Sequence, residues 1–458
     1  MYKINFQEKG KAFFIGIGGI SMSGFAKLLK NKGFEVAGSD RTKSDITAEL
    51  ESLGIDINYK QDGSTIDSSV DFVVYTAAIS DDNPEFAKAK QLNIPLISRA
   101  TMIGQIMRNY KTAIGVSGTH GKTSTTSIAS HILMAADLDP TVSVGGVLPE
   151  FGNLRIGHSP YFLVESCEYT NSFLEFAPTI GIILNIEADH LDFFKDEEDI
   201  RHSFRKFAEL LPADGALIIN SDIRDYQEIS DNLPCKVITF SLTDENADYH
   251  AENISFDATG GTFSLIRGEE EVGQYKLNVL GEHNISNAIS CLAMADFLGI
   301  EPDLAKLGLS NYKGVGRRFQ HKGTFKGATI IDDYAHHPSE IATTIKTAAS
   351  VPHNKLWIVF QPHTYTRTKS FLHEFADVLA KADHVVLADI YAAREKDPGD
   401  ISSEDIAKLI SEKGSKATYL GDFKKIIEFL EKNLMDGDLL ITVGAGNVVE
   451  IGESLVAK

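Results

Sequence analysis

The sequence holds little that would staple or anchor it. Cysteine occurs three times, at 167, 235 and 291, too few and too scattered for a disulfide framework or a thiolate zinc site. No apolar run approaches the roughly 18 residues that a membrane span needs. The start Met1-Tyr2-Lys3-Ile4-Asn5-Phe6 lacks the apolar stretch of a signal peptide, so the expectation is a cytoplasmic protein. Positive charge is also short: 44 Lys plus Arg against 64 Asp plus Glu leave a formal charge of −20. That balance opposes attraction to nucleic acid and anionic membranes, and any phosphorylated substrate must be drawn in by local clusters.

What is present is an ordinary globular composition, 43% hydrophobic and 24% charged, in a chain of 458 residues, long enough for about three domains. Short β-branched runs alternate with amphipathic stretches, the pattern of parallel sheets covered by helices. Strands are expected at 12–15, 34–37, 70–75 and 94–97, with a helix at 22–32. A second series starts at 112–116 and continues through 161–164 and 180–184. Antiparallel strands are expected over about 248–279, then a helix from 284 to about 298. A third series has strands at 328–331, 356–360, 385–388 and 439–443, with helices at 370–382 and 423–433. The expected division is 1–108, 109–321 and 322–458.

The strongest motif, Gly115-Val-Ser-Gly-Thr-His-Gly121-Lys122-Thr123, stands between a strand and a helix. Backbone N–H groups at a helix N-terminus can cradle phosphate oxygens there, with Lys122, read as an exposed loop lysine, at the terminal phosphates and Thr123 at magnesium. It departs from the strict phosphate-loop spacing, which would place glycine at Val116. Near the start, Gly16-Ile17-Gly18-Gly19-Ile20-Ser21 follows a strand and opens a helix, with Asp40 at the next strand end. A dinucleotide site, a pyrophosphate-sugar site and a purely structural turn all fit that loop. Glu165 and His190 each follow a strand, and strand ends of an open parallel sheet face the ligand crevice, so the pair suits Mg²⁺ beside the phosphate loop. Asn284 and Asn287 either cap a helix or read an adenine edge. Arg317 and Arg318, in a flexible turn, suit a phosphate or stand as surface charges. Asp332-Asp333-Tyr334-Ala335-His336-His337-Pro338 and Gln361-Pro362-His363 follow further strands. Their histidine spacing is unlike the usual zinc pair, and an anionic amino-acid and nucleotide pocket fits better.

In this order, GTHGKT at 118–123, the strand-end glutamate at 165, NIEADHLD at 185–192, GEHNISN at 281–287, GVGRRF at 314–319 and DDYAHHPSE at 332–340 resemble the Mur ligase family over nearly the whole chain. The histidine in GTHGKT, the GIGGISMSG start and the DDYxHHP segment look like the family's ligase for the first amino acid. The resemblance implies an α/β fold of three domains: an N-terminal Rossmann-like domain holding a UDP-sugar, a central ATPase-type domain with a phosphate loop and mixed sheet, and a C-terminal Rossmann-like domain. It implies ATP with Mg²⁺, or Mn²⁺ in its place. UDP-N-acetylmuramate and L-alanine are the implied partners of a monomer or homodimer, joined through an acyl phosphate.

Carried across by motif, Gly118, Thr119, His120, Gly121, Lys122, Thr123 and Ser124 would surround the ATP phosphates, with Asn284, Asn287, Arg317 and Asp332 as further ATP contacts. Thr123, Glu165 and His190 would hold metal, and Lys122, Glu165, His190 and Arg317 would be catalytic. Gly16, Gly18, Gly19, Ile20, Ser21, Ser39 and Asp40 would hold the UDP-sugar, and Tyr334, His336 and Arg367 the amino acid. Three departures stand out: Ser166-Cys167 where the family often has Ala-Asp, Thr364 where arginine is frequent, and Arg205 where later-step ligases carry a modified lysine, with Lys206 beside it. A recycling ligase that attaches a ready-made peptide to the same sugar, a nicotinamide oxidoreductase built on the first glycine loop, and a non-catalytic nucleotide-binding regulator remain as alternatives.

Overall fold

The structure is a computed structural model and describes residues 2–76, 79, 82–257, 259–393 and 395–458. The chain divides into two compact units. One comprises Met1–Ala251, Leu265–Gly273 and Asn287–Leu309, and the other Glu252–Ser264, Gln274–Ser286 and Ser310–Lys458.

The first unit begins with a five-stranded sheet in the order Asp56–Asn58, Glu35–Ser39, Lys11–Ile15, Phe72–Tyr75, Leu96–Ser98, parallel throughout. Ala12, Phe13, Phe14 and Ile15 are all buried, as expected for a strand covered on both faces. The order reverses at this strand, so the loop after it opens at the switch point where such sheets bind ligands. The following helix, Ile20–Asn31, buries Met22, Phe25, Ala26, Leu28 and Leu29, the stripe read from its periodicity.

A second sheet runs Glu270–Leu277, Gly260–Arg267, Tyr249–Asp257, Lys236–Ser241, Ala216–Asn220, Ile180–Ile183, Thr112–Ser117, Tyr161–Glu165, Thr141–Leu148, Gly152–Arg155. Its middle is parallel: Val116 stands opposite Glu165 and Ser117 opposite Ile183. That register brings the chain after Ser117, Glu165 and Ile183 to one sheet edge.

The second unit holds a six-stranded sheet in the order Gln320–Phe325, Ala328–Asp333, Leu439–Val443, Leu356–Phe360, His384–Ala388, Lys416–Gly421. The edge strand is antiparallel and the others parallel. Asp333 and Phe360 both align with Val443, so the segments after 333, 360 and 443 meet. The helix expected at 370–382 is two helices, Tyr365–Ser370 and Leu372–Leu379. They break at Phe371, whose φ of −117° is not helical and whose ring packs edge-on to His337 at 4.7 Å. Among the described residues no helix is long and apolar enough to cross a membrane.

Candidate active site

The phosphate loop is shaped by two glycines. Gly118 has φ +146° and Gly121 φ +83°, and a Cβ on Gly121 would meet the Asn287 side chain at 3.0 Å, so this backbone favours glycine. Neighbouring chain stitches the loop down. Thr119 N–H donates to Asn185 O at 3.1 Å, His120 N–H to Asn185 Oδ1 at 2.8 Å and Asn185 Nδ2 to His120 O at 3.1 Å. The helix Lys122–Ala135 starts on Gly121 with no side chain capping it, which leaves its first N–H groups and positive dipole end for an anion. Ser124 is buried in its first turn. His120 Nε2 lies 3.4 Å from Glu187 Oε2. Asn287, named from sequence alone, thus lies against the loop glycine. Asn284, in the other unit, donates to Leu280 O at 2.7 Å.

Lys122 is not the exposed loop lysine expected; its side chain is 15% exposed. Its ammonium donates to Gly118 O, to Thr119 O at 3.0 Å and to Glu168 Oε2 at 2.9 Å, so all three protons are engaged. Burial disfavours the charged lysine, but the neighbouring acidic groups, Glu168 foremost and Glu165 with it, together outweigh it and the net pKa shift is upward. Burial and Glu168 also push the Cys167 thiol up.

Thr123 Oγ1 donates to Glu165 Oε2 at 3.1 Å, and the Gly145 N–H donates to Glu165 Oε1. Hydroxyl and carboxylate oxygens so placed are hard donors, the kind that magnesium selects. His190 adopts φ +53°, uncommon for a residue with a side chain. Its Nε2 lies 3.8 Å from Glu168 Oε1 and 3.8 Å from Asp189 Oδ2. The Tyr169 ring stacks on it with centroids 4.4 Å apart and donates its hydroxyl to Asp192 at 2.7 Å. Glu168 is therefore the residue that sequence reasoning passed over. The signal was present, since it lies three positions beyond Glu165 at the same sheet edge.

In the first sheet, Gly16 and Ile17 N–H both donate to Ser39 O at 2.8 Å, and Gly18 N–H donates to Asp40 Oδ2 at 2.8 Å. A Cβ on Gly18 would lie 2.7 Å from that oxygen. Gly19 caps the helix that Ile20 and Ser21 begin. Ser39 Oγ donates to the buried Glu85 at 2.6 Å, and Arg99, also not anticipated, donates to Ser21 Oγ at 3.0 Å. The glycine loop, Ser39 and Asp40 thus form one cluster.

In the second unit, the amino-acid candidates meet through His363, the third histidine of the expected anionic pocket. Tyr334 and His336 rings are 5.7 Å apart and His336 and His363 rings 5.9 Å. Arg367 Nη1 lies 3.4 Å from His363 Nδ1. His336 Nδ1 lies 3.2 Å from Glu340, whereas His337 Nδ1 contacts Ser339 at 2.8 Å, so the adjacent imidazoles serve different partners. Arg317 lies beneath this cluster, bound to the buried Asp332 at 3.0 Å, with its guanidinium 4.9 Å from the Tyr334 ring centre. Asp332 is fully buried and accepts from Thr442 Oγ1 at 2.6 Å as well, so a ligand here would meet Arg317 rather than Asp332. Burial raises the pKa of Asp332 and takes that of Asp333 to about 6. It lowers that of His283 to about 4, with Arg318 adding to the effect.

Comparison with known proteins finds three matching segments. Residues 11–111 match the description "Mur ligase family, catalytic domain", residues 116–295 "Mur ligase middle domain" and residues 317–446 "Mur ligase, glutamate ligase domain". A UDP-N-acetylmuramate–L-alanine ligase of Agathobacter rectalis is 54% identical over 460 residues, covering 100% of both chains. One of Lachnospira eligens is 52% identical over 458 residues, again covering 100% of both. Among solved structures, a UDP-N-acetylmuramate–alanine ligase of Thermotoga maritima superposes with a TM-score of 0.80 at 28% identity, covering 98% of each chain. A murein peptide ligase of Psychrobacter arcticus reaches 0.69 at 22% identity, covering 98% of each, and shares the fold. With all three of its segments matched and full-length relatives above half identity, the chain belongs to the Mur ligase family.

Proposed function

We propose that this chain joins L-alanine to the lactyl carboxylate of UDP-N-acetylmuramate, consuming ATP, in the cytoplasmic synthesis of peptidoglycan precursor. The observation that carries the substrate pair is the end-to-end likeness to alanine-adding ligases at more than half identity. The geometry supports the chemistry. A lactyl carboxylate oxygen attacks the γ-phosphorus, ADP leaves, and an acyl phosphate forms. The alanine amine then attacks the acyl carbon, and the tetrahedral intermediate collapses with loss of inorganic phosphate and a proton.

In this reading the loop 118–124 cradles the phosphates, and Lys122 turns from its own loop carbonyls toward them as negative charge moves off the γ-phosphoryl group. Thr123, Glu165 and His190 are the residues that would hold Mg²⁺, or Mn²⁺, which supplies charge neutralisation when bound. The cluster of Gly16, Gly18, Gly19, Ile20, Ser21, Ser39 and Asp40 holds the UDP-sugar, and Asn287, Asn284 and Arg317 hold ATP, with Asp332 behind Arg317. Tyr334, His336 and Arg367 receive the amino acid, where a guanidinium suits the α-carboxylate.

The test is ADP release on mixing the protein with ATP, Mg²⁺, UDP-N-acetylmuramate and L-alanine, beside parallel reactions with a tripeptide acceptor and with reduced nicotinamide. ADP and UDP-N-acetylmuramoyl-alanine should appear together in equal amounts. Turnover with the tripeptide and none with alanine would assign the recycling reaction instead.

A further inference from the structure

Glu168 is a carboxylate with one oxygen engaged and the other waiting. It is 2% exposed. Oε2 accepts from Lys122 Nζ at 2.9 Å, while Oε1 accepts no hydrogen bond and faces His190 Nε2 at 3.8 Å. Enclosing a carboxylate is unfavourable unless its lone pairs are satisfied, and a half-satisfied one in a native fold calls for a reason.

The other acceptors of Lys122 clarify that reason. Gly118 O and Thr119 O belong to the loop that would wrap the phosphates, and a lysine that turns to a phosphate gives up contacts to carbonyls first. Glu168 is the one charged acceptor among the three, and the contact to it is the strongest kind. The carboxylate is therefore the acceptor best suited to keep its hold on the lysine. Its second oxygen reaches toward the imidazole whose neighbours are Asp189 and the stacked Tyr169.

We propose that Glu168 is a positioning residue for the ligase reaction. It anchors Lys122 through one oxygen and, through the other, ties the lysine's placement to the His190 side of the site, so that phosphate and divalent-cation binding are coupled. The inference rests on the function proposed above.

The experiment compares the full-length parent with Glu168→Gln and Glu168→Asp. Glutamine keeps the shape and one acceptor but loses the charge; aspartate keeps the charge on a shorter arm. Three readings are taken: kcat and KM for ATP and for the UDP-sugar; half-saturation by Mn²⁺, followed by water-proton relaxation with a non-hydrolysable ATP analogue; and thermal melting. Glu168→Gln is expected to lower kcat 10- to 100-fold and raise the Mn²⁺ half-saturation at least fivefold in the presence of the analogue. KM for the UDP-sugar should stay within twofold, and Glu168→Asp should recover part of both losses. A folded Glu168→Gln with parental kcat and Mn²⁺ titration overturns the proposal, as does a variant that only melts lower. If the parent itself forms no UDP-N-acetylmuramoyl-alanine, the functional reading fails, while the Mn²⁺ and analogue titration still decides the coupling.

Discussion

Arg317 and Asp332 form a closed pair: Arg317 Nε donates to Asp332 Oδ2 at 3.0 Å, while its terminal nitrogens donate to Gly446 O at 2.8 Å and Gly444 O at 2.7 Å. The guanidinium fork thereby joins the segment after residue 314 to the chain beyond the Leu439–Val443 strand. Lysine carries its three donors on one nitrogen and lacks the planar fork that reaches these separated acceptors. Removing one partner of a buried pair leaves the other charge uncompensated, at a cost of roughly 3–5 kcal/mol. Arg317→Ala should destabilise the second unit by that order in urea unfolding. In an Asp332→Asn background the same change should cost far less, because the charge it strands is gone. Additive losses in this double-mutant cycle would show that the pair does not act as a unit.

A similar cycle separates stability from chemistry in the phosphate loop. Lys122→Ala strands the Glu168 carboxylate, so the variant should melt several degrees below the parent as well as lose ligation by on the order of a thousandfold, the scale of charge stabilisation at such a site. Adding Glu168→Gln should restore much of the melting temperature and none of the ADP release. Near-parental turnover in either variant would remove Lys122 from the site.

Asp333 gives a pH-dependent signature. Its carboxylate accepts from Ala335 N–H and Thr344 Oγ1, both at 3.0 Å, and burial takes its pKa from 3.8 to about 6. With the folded value above the unfolded one, the folded chain holds more protons across this window, and stability falls as pH rises from about 4 to 6. Asp333→Asn keeps an acceptor for Ala335 and should lack that decline. Relative to the parent it should gain on the order of 2–3 kcal/mol between those limits and nothing further above them. Denaturant unfolding at pH 4, 5, 6 and 7 measures it, and a constant offset would refute the assignment.

Arg367 carries the prediction for amino-acid recognition. It lies in the helix Tyr365–Ser370, one turn beyond His363 and within reach of its Nδ1. Arg367→Lys should raise the alanine KM about 10-fold and leave that for ATP little changed, since the charge stays but the fork is lost. Arg367→Ala should be worse. Alaninamide, without the carboxylate, should be a poor acceptor for the parent and lose less on mutation. Equal losses for alanine and alaninamide would make Arg367 a structural residue.

Near-neighbour chemistry was enough to read much of this molecule. Strand, glycine turn and helix follow one another within a dozen residues, so the loops at 16–21 and 118–123 and their sheet-edge position were legible from periodicity and glycine placement. The motif order supported the family in the same way. What lay beyond reach was decided by register across strands. Pairing Val116 with Glu165 and Ser117 with Ile183 sets Glu168 against Lys122 and His190. Three residues of loop, two of the next at positive φ, settle that side-chain direction, and no spacing rule reports it. Likewise, aligning Asp333 and Phe360 with Val443 encloses Asp332 behind Arg317 and brings His363 between His336 and Arg367. Backbone conformation is set by residues a few positions apart, whereas the depth of a charge and the identity of its partner depend on contacts between segments far apart in the chain, 129 residues for Arg317 and Gly446, which only packing brings together.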